Sequence, residues 1–261
     1  MIMKPVRETV LITGASSGLG LELARCFAAD GSGLILVARN TAALEKLAEE
    51  LRRLHEIPVQ VITADLSLKE SPQYVFEQAG RAGQTVDVVV NNAGFGLHGA
   101  FAELPLPRQL EIVQVNVSAL VALTGLFLPG MIERRRGGIF NVGSVAGFLP
   151  GPGMAVYFAS KAFVQSFSEA LHEELRGTGI SVFNLCPGAT ETNFSQVARG
   201  HRKTERPVKR MSAPEVVAAG YRAFRAGKCF QVTGAVNTVL TQLPRLLPRA
   251  SVRRAVGRFN Q

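Results

Sequence analysis

The sequence predicts a single α/β domain: one doubly wound, mostly parallel sheet with helices on both faces. Short β-branched and apolar runs alternate with longer amphipathic stretches from Thr9 to about Pro187. The strand candidates are apolar along their whole length, as strands covered on both faces are. The 261 residues contain no internal linker, repeat or low-complexity tract, and they suffice for one sizeable core.

The elements follow in order. Thr9-Val10-Leu11-Ile12 reads as a buried strand and runs straight into Thr13-Gly14-Ala15-Ser16-Ser17-Gly18-Leu19-Gly20. A helix follows, with Leu19, Leu23, Cys26 and Phe27 on one face. In that context Gly14 permits a sharp turn, Gly18 lets backbone approach a phosphate, and Gly20 lets the helix pack tightly on the sheet. The helix N-terminus offers free N–H groups and a positive dipole end to a pyrophosphate. The spacing is G-x-x-x-G-x-G, which differs from the general G-x-G-x-x-G fingerprint.

A second strand, Leu34 to Ala38, ends at Arg39, with no carboxylate until Glu45. In a dinucleotide fold an acidic residue at this strand end binds the 2′-hydroxyl of NAD, and an arginine accommodates the 2′-phosphate of NADP. Arg39 therefore favours NADP(H) over NAD(H). The third strand, Val59 to Thr63, leads to Ala64-Asp65-Leu66, where the carboxylate either accepts a bond from an adenine amino group or caps a helix. The fourth, Val86 to Val90, ends at Asn91-Asn92-Ala93-Gly94.

Tyr157 and Lys161 stand four residues apart, thirteen residues after Ser144, with Asn116 upstream. On a helix, i and i+4 share a face, so phenol and ammonium can meet. A neighbouring ammonium favours the phenolate and brings the tyrosine nearer to working as a proton shuttle. Such a pair alone is also an ordinary feature of helix surfaces, and the other motifs give it weight.

Together these residues resemble the short-chain dehydrogenase/reductase family. The matching elements are Thr13 to Gly20, Asn91 to Gly94, Asn116, Ser144, Tyr157-Phe158-Ala159-Ser160-Lys161, and Pro187-Gly188 followed by Thr192. They run in the family's order over roughly three quarters of the chain. The resemblance implies a Rossmann-type fold and hydride transfer between nicotinamide and an alcohol or carbonyl. It implies Tyr157 as catalytic acid or base and Lys161 as ligand of the nicotinamide ribose that lowers the tyrosine pKa. Ser144 would orient the substrate oxygen, and Asn116 would hold a relay water. Gly14, Ser16, Ser17, Gly18, Leu19, Gly20, Arg39, Asp65, Leu66, Asn92, Ala93, Gly94, Pro187, Gly188 and Thr192 would bind the cofactor with Tyr157 and Lys161. The alternatives are reduction of 3-oxoacyl thioesters and a catalytically silent, nucleotide-binding scaffold.

Phe95, Leu97, Phe148, Met154 and Phe194 are candidates for an apolar substrate pocket. Three cysteines and four histidines show no ligand spacing, so no metal is expected, and free thiols suit a reducing, cytoplasmic setting. The N-terminus lacks a signal-peptide core, and no run of apolar residues reaches spanning length.

Charge is uneven. From Arg199 onward, fourteen Lys or Arg face only Glu205 and Glu215, whereas the preceding residues carry three more acids than bases. In the resembled family, residues 193–212 form a substrate lid. Residues 238–261 alternate leucines with Arg245, Arg249, Arg253, Arg254 and Arg258. This segment could cover the sheet edge, lie peripherally on an anionic membrane, or meet an acidic acyl carrier. Nothing resembles a nucleic-acid reading motif. Long helices expected near Glu103–Leu128 and Ala155–Arg176 would pair copies into a dimer or tetramer.

Overall fold

A computed structural model describes residues 7–81, 85–192, 194, 198, 210–245 and 247–260. Seven parallel strands form one sheet in the order β3-β2-β1-β4-β5-β6-β7. They are β1 Thr9–Thr13, β2 Gly33–Ala38, β3 Val59–Thr63, β4 Val88–Asn91, β5 Gly137–Val142, β6 Ile180–Cys186 and β7 Phe230–Val232. Strands β1 and β2 are buried at every position, as their unbroken apolar sequence requires.

One layer over the sheet includes α1 Gly18–Ala29, α2 Thr41–His55 and α7 Ala213–Arg225; Phe27, Phe140, Phe183 and Phe224 fill the core beneath it. The opposite layer includes α3 Ser71–Arg81, α5 Ala119–Glu133 and α6 Ala155–Glu174. Helix α4, Leu106–Val113, runs through a π-helical turn, Gln114–Ser118, into α5. The result is a 28-residue helix, Leu106–Glu133, long and apolar enough to cross a membrane. That corrects the expectation drawn from uninterrupted runs. Here Leu120, Leu123, Phe127 and Met131 are buried in the fold instead.

The strand order reverses between β1 and β4, where a doubly wound sheet opens a crevice at its carboxyl edge. Thr13 bridges that point. Its hydroxyl donates to the Val90 carbonyl at 3.1 Å and accepts from the Asn92 and Ala93 amides, each at 3.0 Å. The C-terminal part adds α8 Ala235–Gln242 and α9 Arg249–Asn260. Most of the expected lid, 193–212, lies outside the described residues.

Candidate active site

A cleft of about 710 Å³ runs along this edge, lined from Arg39 and Asp65 through the glycine loop to Lys161 and Tyr157. It suits a dinucleotide. Gly14 and Gly18 have φ of +66° and +56°, a region L side chains rarely adopt. A Cβ on Gly20 would stand 2.3 Å from the Gly14 carbonyl oxygen, so only glycine lets helix and loop approach. Ser17 precedes α1 without capping it through its side chain, and the first turn carries no acid. The N-terminus of α1 thus borders the cleft through Ser17, Gly18 and Leu19 with no side chain of its own capping it, which suits an anion.

Asn92 lines the cleft, but its amide bonds the Thr13 and Gly14 carbonyls at 2.8 and 3.2 Å. The side chain therefore clamps the glycine loop. Ser16, Leu19, Leu66, Ala93, Gly94, Pro187 and Gly188 line the cleft as the sequence led us to expect. Thr192 lies across the opening, its methyl 3.3 Å from where a Gly18 Cβ would stand.

At the far end, Arg39 is exposed, and it lies 3.9 Å from Asp65. Asp65 accepts from the Ser67 amide at 3.0 Å, so it caps a turn and not α3. Partial burial works to raise its pKa. The Ser67 bonds, with Arg39 and Arg108, outweigh that and hold it below the ordinary carboxylate value. Arg108 also lines the cleft, 5.1 Å from the Phe95 ring centre.

Tyr157 and Lys161 are both buried on α6. Lys161 Nζ donates to the Val142 carbonyl at 2.7 Å and lies 6.0 Å from the centre of the Tyr157 ring. The expected direct lowering of the phenol pKa by the ammonium does not occur in the protein alone. Burial pushes Tyr157 up to about 12, opposed by a hydrogen bond with Ser144. Burial likewise pushes Lys161 down to about 8. Ser144 is fixed at the head of the 3₁₀ turn Val145–Phe148, where its Oγ accepts from the Ala146 amide at 3.1 Å.

Asn116 sits in the π turn, fully buried. Its amide donates to the Phe95 carbonyl and the Ser160 hydroxyl, each at 3.0 Å, and its oxygen accepts from the Phe95 amide at 3.1 Å. The side chain therefore ties the Asn92–Phe95 loop to α6, a role the sequence did not reveal. Gly94 is pressed between Asn116 and Lys161: its Cβ would stand 3.0 Å from Asn116 Oδ1 and 3.5 Å from Lys161 Nζ.

The Tyr157 end is apolar. Met154, Tyr157, Ala146 and Ala198 form one cluster, with Phe158 and Phe194 packed on it. Of the five expected pocket residues, Phe95, Met154 and Phe194 line the cleft. Leu97 faces a separate small crevice, and Phe148 packs against Phe230 at 6.2 Å. Phe158, Ala198 and Arg108, which line the cleft, were missed, as was Gly96, which lies beside the Tyr157 ring but outside the lining. Gly96 alone had a signal, its place in the run Gly94-Phe95-Gly96; a Cβ there would stand 3.0 Å from the Tyr157 ring. Among the described residues no cluster of three metal-ligating side chains occurs.

The model of the short chain dehydrogenase family matches residues 8–203. The chain belongs to that family. It is thus a nicotinamide-dependent oxidoreductase of alcohol or carbonyl groups. It is 41% identical over 195 residues to a sulfoacetaldehyde reductase of Chromohalobacter salexigens, covering 74% of this chain and 77% of that one. A very-long-chain 3-oxoacyl-CoA reductase of Coprinopsis cinerea is 35% identical over 177 residues; this covers 67% of this chain and about half, 52%, of that longer protein. A short-chain dehydrogenase from Sphingobium yanoikuyae, solved with NADPH, superposes with a TM-score of 0.82 at 32% identity, covering 92% of this chain and 93% of that one. Other solved members carry NAD or NADP+.

Proposed function

We propose that this dehydrogenase uses NADP(H) to interconvert an apolar carbonyl compound and its alcohol, with Tyr157 as the proton-transferring acid or base. The observation that carries the reading is a buried phenol, bonded to Ser144, standing at the apolar end of a dinucleotide-sized cleft.

The nicotinamide, when bound, supplies or accepts the hydride. The remaining work falls to side chains of this chain. In reduction, the phenol donates its proton to the carbonyl oxygen while the Ser144 hydroxyl hydrogen-bonds the same oxygen. A phenol raised to about 12 stays protonated at neutral pH, which suits that direction. Lys161, mostly charged below about 8, would hold the ribose hydroxyls. The glycine loop and the α1 N-terminus would hold the pyrophosphate, and Asp65 the adenine end. Relatives carry either cofactor, so the NADP(H) preference rests on Arg39 and the absence of an acid beside it.

The apolar surroundings of Tyr157 argue against a sulfonate substrate. Among the described cleft-lining residues the cations besides Lys161 are Arg39, 3.9 Å from Asp65 at the other end, and Arg108, over the Phe95 ring. A second reading, 3-oxoacyl thioester reduction, is supported by the very-long-chain relatives. NADPH consumption with bulky ketones, long-chain aldehydes, 3-oxoacyl-CoA and sulfoacetaldehyde separates these. We expect the highest kcat/KM for an apolar ketone or aldehyde. Preference for sulfoacetaldehyde would overturn the apolar reading, and no turnover of any would favour a silent scaffold.

We further propose a homo-dimer or tetramer formed through α4–α5 and α6. Their outer faces expose Leu106, Leu110, Val113, Val121 and Phe163, the last stacked on Phe167. A helix face this apolar favours burial against a second copy. Light scattering at micromolar concentration should give a multiple of the 28.0 kDa chain mass. The unpaired thiols of Cys26, Cys186 and Cys229 fit work in the cytoplasm.

A further inference from the structure

Helix α8, Ala235–Gln242, is built inside out. Its inward side is polar: Thr241 is buried, and Asn237 donates to the Thr233 carbonyl at 2.7 Å and packs against Gly188 in the cleft wall. Its outward side is apolar. Val236 and Val239 are 73% and 66% exposed, Leu240 is 50% exposed, and Leu243 continues the stripe at 43%; Leu247, beyond the helix, is exposed to the same degree. The spacing of 236, 239, 240 and 243 is that of one helical face. A core-packing helix in water shows the reverse arrangement.

Basic helix α9 follows at once. It is anchored by buried Val252 and by Gly257, which lies beside Pro152 in the loop next to Phe158. Arg249, Arg253, Arg254 and Arg258 are exposed along it. No carboxylate side chain occurs after Glu215 in the whole sequence. An exposed apolar stripe followed in the chain by a basic helix suits headgroups carrying negative charge above an apolar interior.

We propose that α8 and α9 form a docking surface for an anionic lipid bilayer, with the α8 stripe entering the headgroup boundary and the α9 arginines meeting the lipid phosphates. A second copy of this chain fits poorly. A two-fold contact sets the same patch against itself, so the arginines of the two copies would face one another. The inward side of α8 adjoins the cleft wall through Asn237–Gly188, and α9 lies beside Pro152 through Gly257. The inference does not depend on the reaction proposed above, because its readout is binding.

The test is co-sedimentation of the full chain with phosphatidylglycerol and phosphatidylcholine vesicles at low and physiological salt. Binding to the anionic vesicles that weakens with salt is expected, with little binding to the neutral ones. The double variant Val239→Glu/Leu243→Glu should lose at least tenfold in affinity. Each of Arg249→Gln, Arg253→Gln and Arg254→Gln should lose roughly fivefold. All of these positions are exposed, and circular dichroism checks that the variants fold. No binding to anionic vesicles at low salt overturns the proposal, as does a double variant that binds like wild type. So does a double variant whose light-scattering mass falls, because the stripe is then a subunit contact. Binding to an acidic carrier protein without binding to vesicles overturns it in favour of that partner.

Discussion

At the glycine-loop end of the cleft, polar side chains are committed to backbone. Thr13 joins β1 to β4, Asn92 clamps the loop, and Asn116 holds the segment that follows. At the Tyr157 end, Met154, Phe158, Phe194 and Ala198 surround one phenol and one serine. The first region has a fixed shape for a ligand of fixed shape. The second supplies apolar volume, in which each polar group is either buried and reactive or absent. The difference predicts that substitutions at the two ends act on different constants: cofactor affinity at one, turnover at the other.

The largest effect should come from Tyr157→Phe. The ring still fills its place, but proton transfer worth roughly 10²–10⁴-fold is lost. We expect kcat to fall by that factor while the cofactor Kd, read by fluorescence titration, stays within about threefold. A folded variant retaining more than about a tenth of kcat would remove Tyr157 from the reaction.

At the opposite end, Arg39→Asp should weaken NADPH binding roughly ten- to hundredfold, the worth of a charge-assisted bond to a phosphate. NADH binding should hold or improve. Equal affinities of the wild-type protein for the two cofactors would end the NADP(H) assignment and leave Arg39 as a surface partner of Asp65.

These two residues also mark how legible the molecule was. The cofactor half lies in short local words, such as the glycine spacing, Arg39 after β2 and Asn92-Ala93-Gly94, because the cleft lining there comes from strand ends and the turns after them. The substrate half does not. Ala198 reaches Tyr157 from beyond β6, and Phe148 looked like a pocket residue until β7 brought Phe230 against it. Sequence spacing placed Tyr157 and Lys161 on one helix face correctly. It could not show that Val142 would take the ammonium or that burial would move both groups away from easy ionisation. The inside-out character of α8 was likewise invisible, because the pattern of Val236, Val239, Leu240 and Leu243 reads the same whichever way it faces.

Lys161 sharpens the comparison, since the role proposed for it comes at the expense of the fold. Its pKa falls from 10.5 to about 8 on folding. Below about 8 the cost of a buried charge is fully present, and stability rises with pH between there and 10.5 as the folded chain sheds a proton the unfolded chain keeps. Lys161→Met should therefore be inactive yet more stable at pH 7. The gain should be about 1–2 kcal/mol once the orphaned Val142 carbonyl is counted, and it should shrink at pH 9.5. Urea unfolding at both pH values checks this; a variant less stable than wild type at pH 7 would show that the ammonium is well accommodated.

The finest test uses two glycines two residues apart. A Cβ on Gly94 points at Asn116 and Lys161, whereas one on Gly96 stands 3.0 Å from the Tyr157 ring and 3.1 Å from the Met154 methyl. Neither glycine needs a positive φ, so the effect of alanine is purely one of space. The Tyr157 ring must move by a few tenths of an ångström to admit the Gly96→Ala methyl, and small errors in reacting geometry are felt in the chemical step. Gly96→Ala should therefore lower kcat about five- to tenfold with cofactor Kd unchanged, because Gly96 lies outside the cleft lining. Gly94→Ala, pressing on Lys161 and the loop beside the glycine turn, should raise the cofactor Kd by a similar factor. Steady-state kinetics and cofactor titration on both variants read the split. If both change the same constant, the two ends of the cleft are one mechanical unit, and the division drawn from their packing is wrong.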